Sequence, residues 1–234
     1  TNLGAFFGRH IPSFNISANY YMAFFCITGL FRILHKGFVY IDSSDSRKIS
    51  NVFSTLASET IQVDSGYYFF RPTNNSMIND IEIEFCKTNG RVHESSWNSF
   101  YEDVCEMSQY GTDLEKVILE KIKDMFDKYG KNFMSQLRNE VNYRGEYACR
   151  EIRRQFHYNL VEPDAERLGR NIIKASLNNT IDSRSNCMNL ISMYLFCLVG
   201  ELFGELIERN QGKPDCYKIG TKQRIVDFPF KKSL

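Results

Sequence analysis

The chain has 234 residues, of which 43% are hydrophobic and 24% charged, and its formal net charge is +1. These are ordinary globular values in a chain long enough to bury a substantial core; they argue against a disordered protein and exclude a global field that would draw in nucleic acid or an anionic membrane. Seven cysteines, at positions 26, 86, 105, 149, 187, 197 and 216, are odd in number and form no CxxC pair. They read as reduced core thiols of a cytoplasmic protein and suit neither a disulfide frame nor a zinc site.

Because the first residue is Thr1, the chain is expected to be a processed form or an excised part of something larger. No cationic segment leading into an apolar run opens it, which argues against secretion. Residues 1–16 are apolar and glycine-punctuated without a period, an ordered arm. Ser17 is placed as the cap of a helix to about Lys36, closed by Gly37, with His35 in its last turn. From Tyr20 to Leu34 this helix is apolar nearly all round. A membrane span needs about 20 apolar residues, so a shorter run carrying Arg32 is read as a buried core helix.

A second helix is expected from about Ser46 to Glu59, with Ile49, Phe53 and Leu56 on one face. The texture then changes. Tyr67–Arg71 is an aromatic run, Pro72–Asn79 is turn-rich, and Asp80-Ile81-Glu82-Ile83-Glu84-Phe85 alternates polar with apolar, the strand period. With the turn signal Asn89-Gly90, this predicts a small antiparallel β insertion at about residues 61–93. Asp80, Glu82 and Glu84 share one face of the alternating strand with no histidine at ligand spacing, so they read as a solvated face; no metal and no cofactor is expected.

Residues 96–107 predict a short helix carrying Trp97, Phe100 and Val104. Asp113–Tyr129 is a clear helix, capped by Thr112 or Asp113, with a stripe of Leu114, Val117, Ile118, Ile122, Met125 and Phe126. Gly130 ends it, and the next helix follows within three residues, which predicts an antiparallel αα-hairpin. A basic helix is expected over Ala165–Leu177, and the strongest apolar helix runs from near Cys187 to about Arg209. Its unbroken apolar part is also too short for a bilayer, so no membrane is expected as a partner. Residues 216–234 form a C-terminal tail.

Two very apolar helices near the ends, with an amphipathic hairpin between them, imply a mainly α fold: an antiparallel helical bundle forming a single domain over 1–234. No internal repeat, glycine-rich phosphate loop, HExxH or GxSxG occurs, which removes support for nucleotide hydrolysis, zinc proteolysis and α/β-hydrolase chemistry.

The stretch that carries the most chemistry is Phe133–Tyr158. At about 100° per residue, Met134, Leu137, Val141, Ala148, Ile152 and Phe156 form one apolar stripe. Arg138, Asn142, Glu146, Arg153 and His157 line the flank beside it. Gly145 falls on the apolar side, where it costs roughly 1 kcal/mol relative to Ala, so either another backbone packs closely there or the helix breaks near Arg144–Gly145.

The run Arg138-Asn139-Glu140-Val141-Asn142-Tyr143, set in an all-helical domain of this size, resembles the HEPN family of helical-bundle proteins. Many members are metal-independent ribonucleases of toxin–antitoxin, CRISPR and phage-defence systems. Their motif is an arginine, usually followed by a polar residue such as Asn, with a histidine after four to six intervening residues. Arg138 and Asn139 match its first two positions; the histidine slots hold Tyr143, Arg144 and Gly145. The resemblance implies a prokaryotic defence or toxin-type protein that binds or cleaves RNA, acting as a homodimer. It implies catalytic roles for Arg138, Asn139 and Tyr143, and RNA contacts from Asn142, Arg144 and Arg153.

The departure at Tyr143 bears directly on catalysis. Metal-free RNA cleavage uses the 2′-OH as nucleophile and needs a proton acceptor near pH 7 and a cation on the phosphorane oxygens. Arg138 supplies the cation, but a tyrosine with pKa near 10 is a poor base. His157 lies 19 residues beyond Arg138, about 28 Å along a continuous helix. His35, or a histidine of a second subunit, remains open. The alternative from another class is a non-catalytic helical scaffold or sensor module that docks a partner protein, favoured by the missing histidine and the near-neutral charge. A small-molecule pocket lined by Phe and Tyr has no motif behind it.

Overall fold

The computed structural model describes residues 12–73, 82–89, 91–143, 165–177 and 183–209. Among these it has α1 (Pro12–Ile33), β1 (Gly37–Ile41), α2 (Ser43–Ala57), β2 (Gly66–Pro72), β3 (Ile83–Lys87), α3 (Val92–Met107), α4 (Asp113–Tyr129), α5 (Phe133–Tyr143), α6 (Ala165–Leu177) and α7 (Arg184–Arg209). The protein is thus mainly helical with a small antiparallel sheet. It divides into two compact units, one of Thr1–Ile27 with Trp97–Leu234 and one of Thr28–Ser96. The proposed break at Gly145 and the tail from 216 lie outside the described residues.

In the first unit, α4 shows how sequence makes structure here. Thr112 accepts from the Glu115 amide at 3.4 Å, and Glu115 returns a carboxylate to the Thr112 amide at 2.7 Å, a complete capping box. The helix then buries Ile118, Leu119, Ile122, Met125 and Phe126. α6 packs against both α4 and α7, and α5 packs against α7. At Gly169 of α6 a Cβ would meet Ile118 Cδ1 at 2.2 Å, so the α4–α6 approach exists only because this residue is glycine. Glu201 of α7 accepts from the Ala165 amide at 3.0 Å and so caps the start of α6.

An aromatic cluster joins α1, α3, α4 and α5 within this unit. Trp97, wholly buried, lies 6.0 Å from Tyr20 and 6.1 Å from Phe126, and Phe126 meets Phe133 edge-on at 5.3 Å. α7 is long and apolar enough, by length and composition alone, to cross a membrane. Its first half, Ser185 to Cys197, is buried in the fold with only Phe196 half-buried, and that half includes the polar Ser185, Asn186, Asn189 and Ser192.

The second unit holds a three-stranded antiparallel sheet in the order β1-β2-β3. β2 and β3 fall in the expected insertion; β1 does not. The run from Gly37 to Ile41 is apolar on both faces, so it carries no alternation to read. Pairing with β2 sorts it: Phe38 lies opposite Phe69 with rings 4.9 Å apart, and Tyr40 opposite Tyr67 at 4.8 Å. Phe31, from the last turns of α1, packs on Phe38 and Phe69.

The end of α1 also differs from expectation. The residue that turns the chain is His35, at φ 57°, two positions before Gly37. The His35 amide donates to Arg32 O at 3.2 Å and the Lys36 amide to Phe31 O at 2.7 Å, the paired bonds of a Schellman ending. Gly37 serves a different need, since a Cβ there would sit 2.9 Å from the Phe70 ring. α2 is capped by Asp42, which accepts from the amides of Ser44 and Asp45 and is thereby held below the usual carboxylate range. Ser46, Ser50 and Ser54, one turn apart, hydrogen-bond the backbone of Ile61 and Val63 and fasten that extended segment along the helix.

Candidate functional site

α5 is a helix because Phe133, Met134, Leu137 and Val141 recur at three- and four-residue spacing, and all four are buried. Arg138 and Asn142, four residues apart, lie on the flank toward α1. The Arg138 guanidinium carbon stands 4.9 Å from the Tyr20 ring centre and 5.5 Å from that of Tyr21. Those two rings are edge-on to each other at 5.3 Å, so they form an aromatic corner around the cation. Trp97 Nε1 donates to the Tyr20 hydroxyl at 3.4 Å and steadies the corner. Arg138 Nε is buried, with no hydrogen-bond partner among the described residues. One turn on, Asn142 Oδ1 accepts from Ser17 Oγ at 2.6 Å.

Glu140 projects from the opposite flank. Arg184 of α7 holds it by two bonds, Nη1 to Oε1 at 3.1 Å and Nη2 to Oε2 at 2.6 Å, in a partly buried fork. The carboxylate two residues from Arg138 is therefore committed elsewhere. Asn139 and Tyr143 share the outward face, Asn139 half-buried and Tyr143 80% exposed. The structure thus divides the expected site: Arg138 and Asn142 are drawn against α1, while Asn139 and Tyr143 face out. Arg144, Arg153 and His157 lie outside the described residues. His35 and His93, the described histidines, both belong to the second unit.

Other reactive side chains give little chemistry. No group of three or more His, Cys, Asp or Glu could hold a metal ion among the described residues. Glu84 is bound by Arg71 at 2.9 Å and Glu82 accepts from Thr73 at 3.1 Å, so both carboxylates are engaged in local pairs, while Asp80 lies outside the described residues. Burial pushes the Cys26 thiol up to about 11, away from nucleophilic use. The Tyr101 hydroxyl donates to Asp127 at 2.6 Å, which raises the phenol; the bond from Lys123 and then this one lower the Asp127 carboxyl.

Sequence reasoning missed two features. One is a polar contact inside the bundle, where Asn19 Nδ2 of α1 donates to Asn189 Oδ1 of α7 at 2.7 Å. Asn186, 1% exposed, has neither amide atom bonded among the described residues. The other is the apolar surface of the second unit. α2 has no buried residue, and Val52, Phe53 and Leu56 are 57%, 49% and 76% exposed. On β3, Ile83 and Phe85 are 51% and 55% exposed. The apolar stripe of α2 was visible in the sequence, but periodicity shows only that a face is apolar, not whether the fold covers it. No protein-family model, no curated protein and no solved structure matches the chain.

Proposed function

We propose that the protein is a non-catalytic helical module that docks a partner protein through its second unit. One observation carries this reading: α2 and β3 hold out Val52, Phe53, Leu56, Ile83 and Phe85 with about half or more of each side chain exposed. Val52, Phe53 and Leu56 adjoin on one face of α2, and Ile83 and Phe85 on one face of β3, and exposed apolar groups of this kind mark interaction surfaces. The test pans a random peptide display against the native protein and against a folded variant with Phe53→Ser, Leu56→Ser and Phe85→Ser. Enrichment on the native protein that disappears on the variant is expected; enrichment that is equal on both would refute the reading.

A second reading is favoured by one detail of α5. The outward pair Asn139 and Tyr143 beside the tyrosine-held Arg138 offers an amide, a stacking ring and a cation along one helix edge, which suits unpaired RNA. In this reading the chain is HEPN-like, from a defence or toxin-type system, and binds RNA as a homodimer; the motif's histidine slots hold Tyr143, Arg144 and Gly145, which argues against cleavage. Incubation with single-stranded and structured RNA in EDTA tests it: binding without cleavage, weakened by Arg138→Ala, is expected. Absence of binding, or indifference to Arg138→Ala, would remove it.

A further inference from the structure

The second unit has one surface whose complement is dictated by the backbone. β3 is a terminal strand of the sheet, and its outer N–H and C=O groups pair with nothing among the described residues. β1 ends the other side, but there Ile41 is buried and Gly37 and Phe38 are half-buried, whereas every β3 residue except Cys86 is exposed. Protein edges are normally kept from pairing by outward charges, proline or bulges. β3 has two charged residues, and both are tied back into their own unit: Glu84 accepts from Arg71 of β2 at 2.9 Å, and Lys87 donates to Asp64 at 2.8 Å.

The side chains point the same way. On one face of the sheet, Phe70 lies across Gly37 and meets Phe85 at 5.9 Å. This cross-strand row runs Gly37, Phe70, Phe85 and stops at the edge with Phe85 55% exposed. Ile83, two residues away on the same face, is 51% exposed. A fourth strand would extend the row.

Size decides between occupants. A strand of five residues offers an edge about 17 Å long and about 10 Å deep with its side chains, on the order of 170 Å². That falls far short of the roughly 800 Å² per partner on which two folded proteins form a stable interface, so a second copy meeting this edge is poorly matched. An extended segment needs only the main-chain ladder and side-chain positions at every second residue. Because the charges of β3 are already neutralised, the segment facing it needs none.

We infer that β3 accepts an uncharged, extended segment of a partner protein as a fourth strand, with apolar side chains at alternate positions against Ile83 and Phe85. This rests on the docking reading and names the partner's chemistry. The probe is a blocked, labelled heptapeptide, Thr-Val-Thr-Ile-Thr-Val-Thr, titrated into the full chain. It is compared with two versions N-methylated on one or the other alternate set of amides. In a strand only one set faces the ladder, so one version should lose about tenfold or more in affinity and the other should bind nearly as well as the parent. Ile83→Lys and Phe85→Lys should each weaken binding, and Leu177→Lys, at an exposed position of the first unit, should not. Lack of saturable binding at millimolar peptide, or tolerance of both methylated sets, overturns the inference. Display-selected peptides that bind but respond to Leu56→Lys and ignore N-methylation would remove β3 as the site and leave the docking reading standing.

Discussion

His35 holds a left-handed backbone that L residues adopt at a cost, and it does so because the Schellman ending of α1 needs such a residue there. His35→Gly is therefore expected to raise the unfolding free energy by about 0.5–1 kcal/mol, and His35→Val to lower it; chemical denaturation reads both. The sequence pointed to Gly37 as the helix stop because glycine is the usual residue for that role, and nothing local reveals that the Phe70 ring has claimed the position. Arg138 poses a similar problem. Its motif was legible at once, but its partners Tyr20 and Tyr21 are remote in sequence, so the aromatic corner could not be read from the run around it. A partly desolvated cation over two rings is worth about 1–2 kcal/mol. Arg138→Ala should cost that much in stability, and Arg138→Lys should recover only part of it because an ammonium lacks the planar stack.

Among the elements, α4 and α6 were legible to the residue because each begins on a clear signal and keeps one apolar face. β1 was not, since a strand apolar on both faces has no period. The cap of α4 gives a pH prediction. Its bonds to Thr112 lower the Glu115 carboxyl below the ordinary 4.5. A carboxyl lowered by folding stabilises above its unfolded pKa, and that contribution is lost as pH falls through the lower folded value. Urea titrations of native protein and Glu115→Gln should therefore differ at neutral pH and converge in acid below pH 4.5. Thr112→Ala should cost about 1 kcal/mol at pH 7. Gly169→Ala tests the α4–α6 contact: an exposed helix would gain roughly 1 kcal/mol. Here the clash with Ile118 should instead destabilise by about 1–3 kcal/mol, partly relieved by Ile118→Val.

At the scale of the whole molecule, the two units divide the chemistry. The first unit uses its polar residues inward: Arg138 against tyrosines, Asn142 to Ser17, Glu140 to Arg184 and Asn19 to Asn189. These bonds link α1, α5 and α7 and turn Arg138 and Asn142 of the motif edge toward α1, Arg138 half-buried and Asn142 exposed. Both units expose large apolar side chains, Phe25 and Leu177 of the first among them; the docking account rests on the sets that α2 and β3 hold in the second. The most direct test is amide hydrogen exchange on the full chain, with and without a peptide selected by display. The account expects slowed exchange at Ile83–Lys87 and along α2, with α5 unchanged; protection confined to Phe133–Tyr143, with the second unit unaffected, would contradict it.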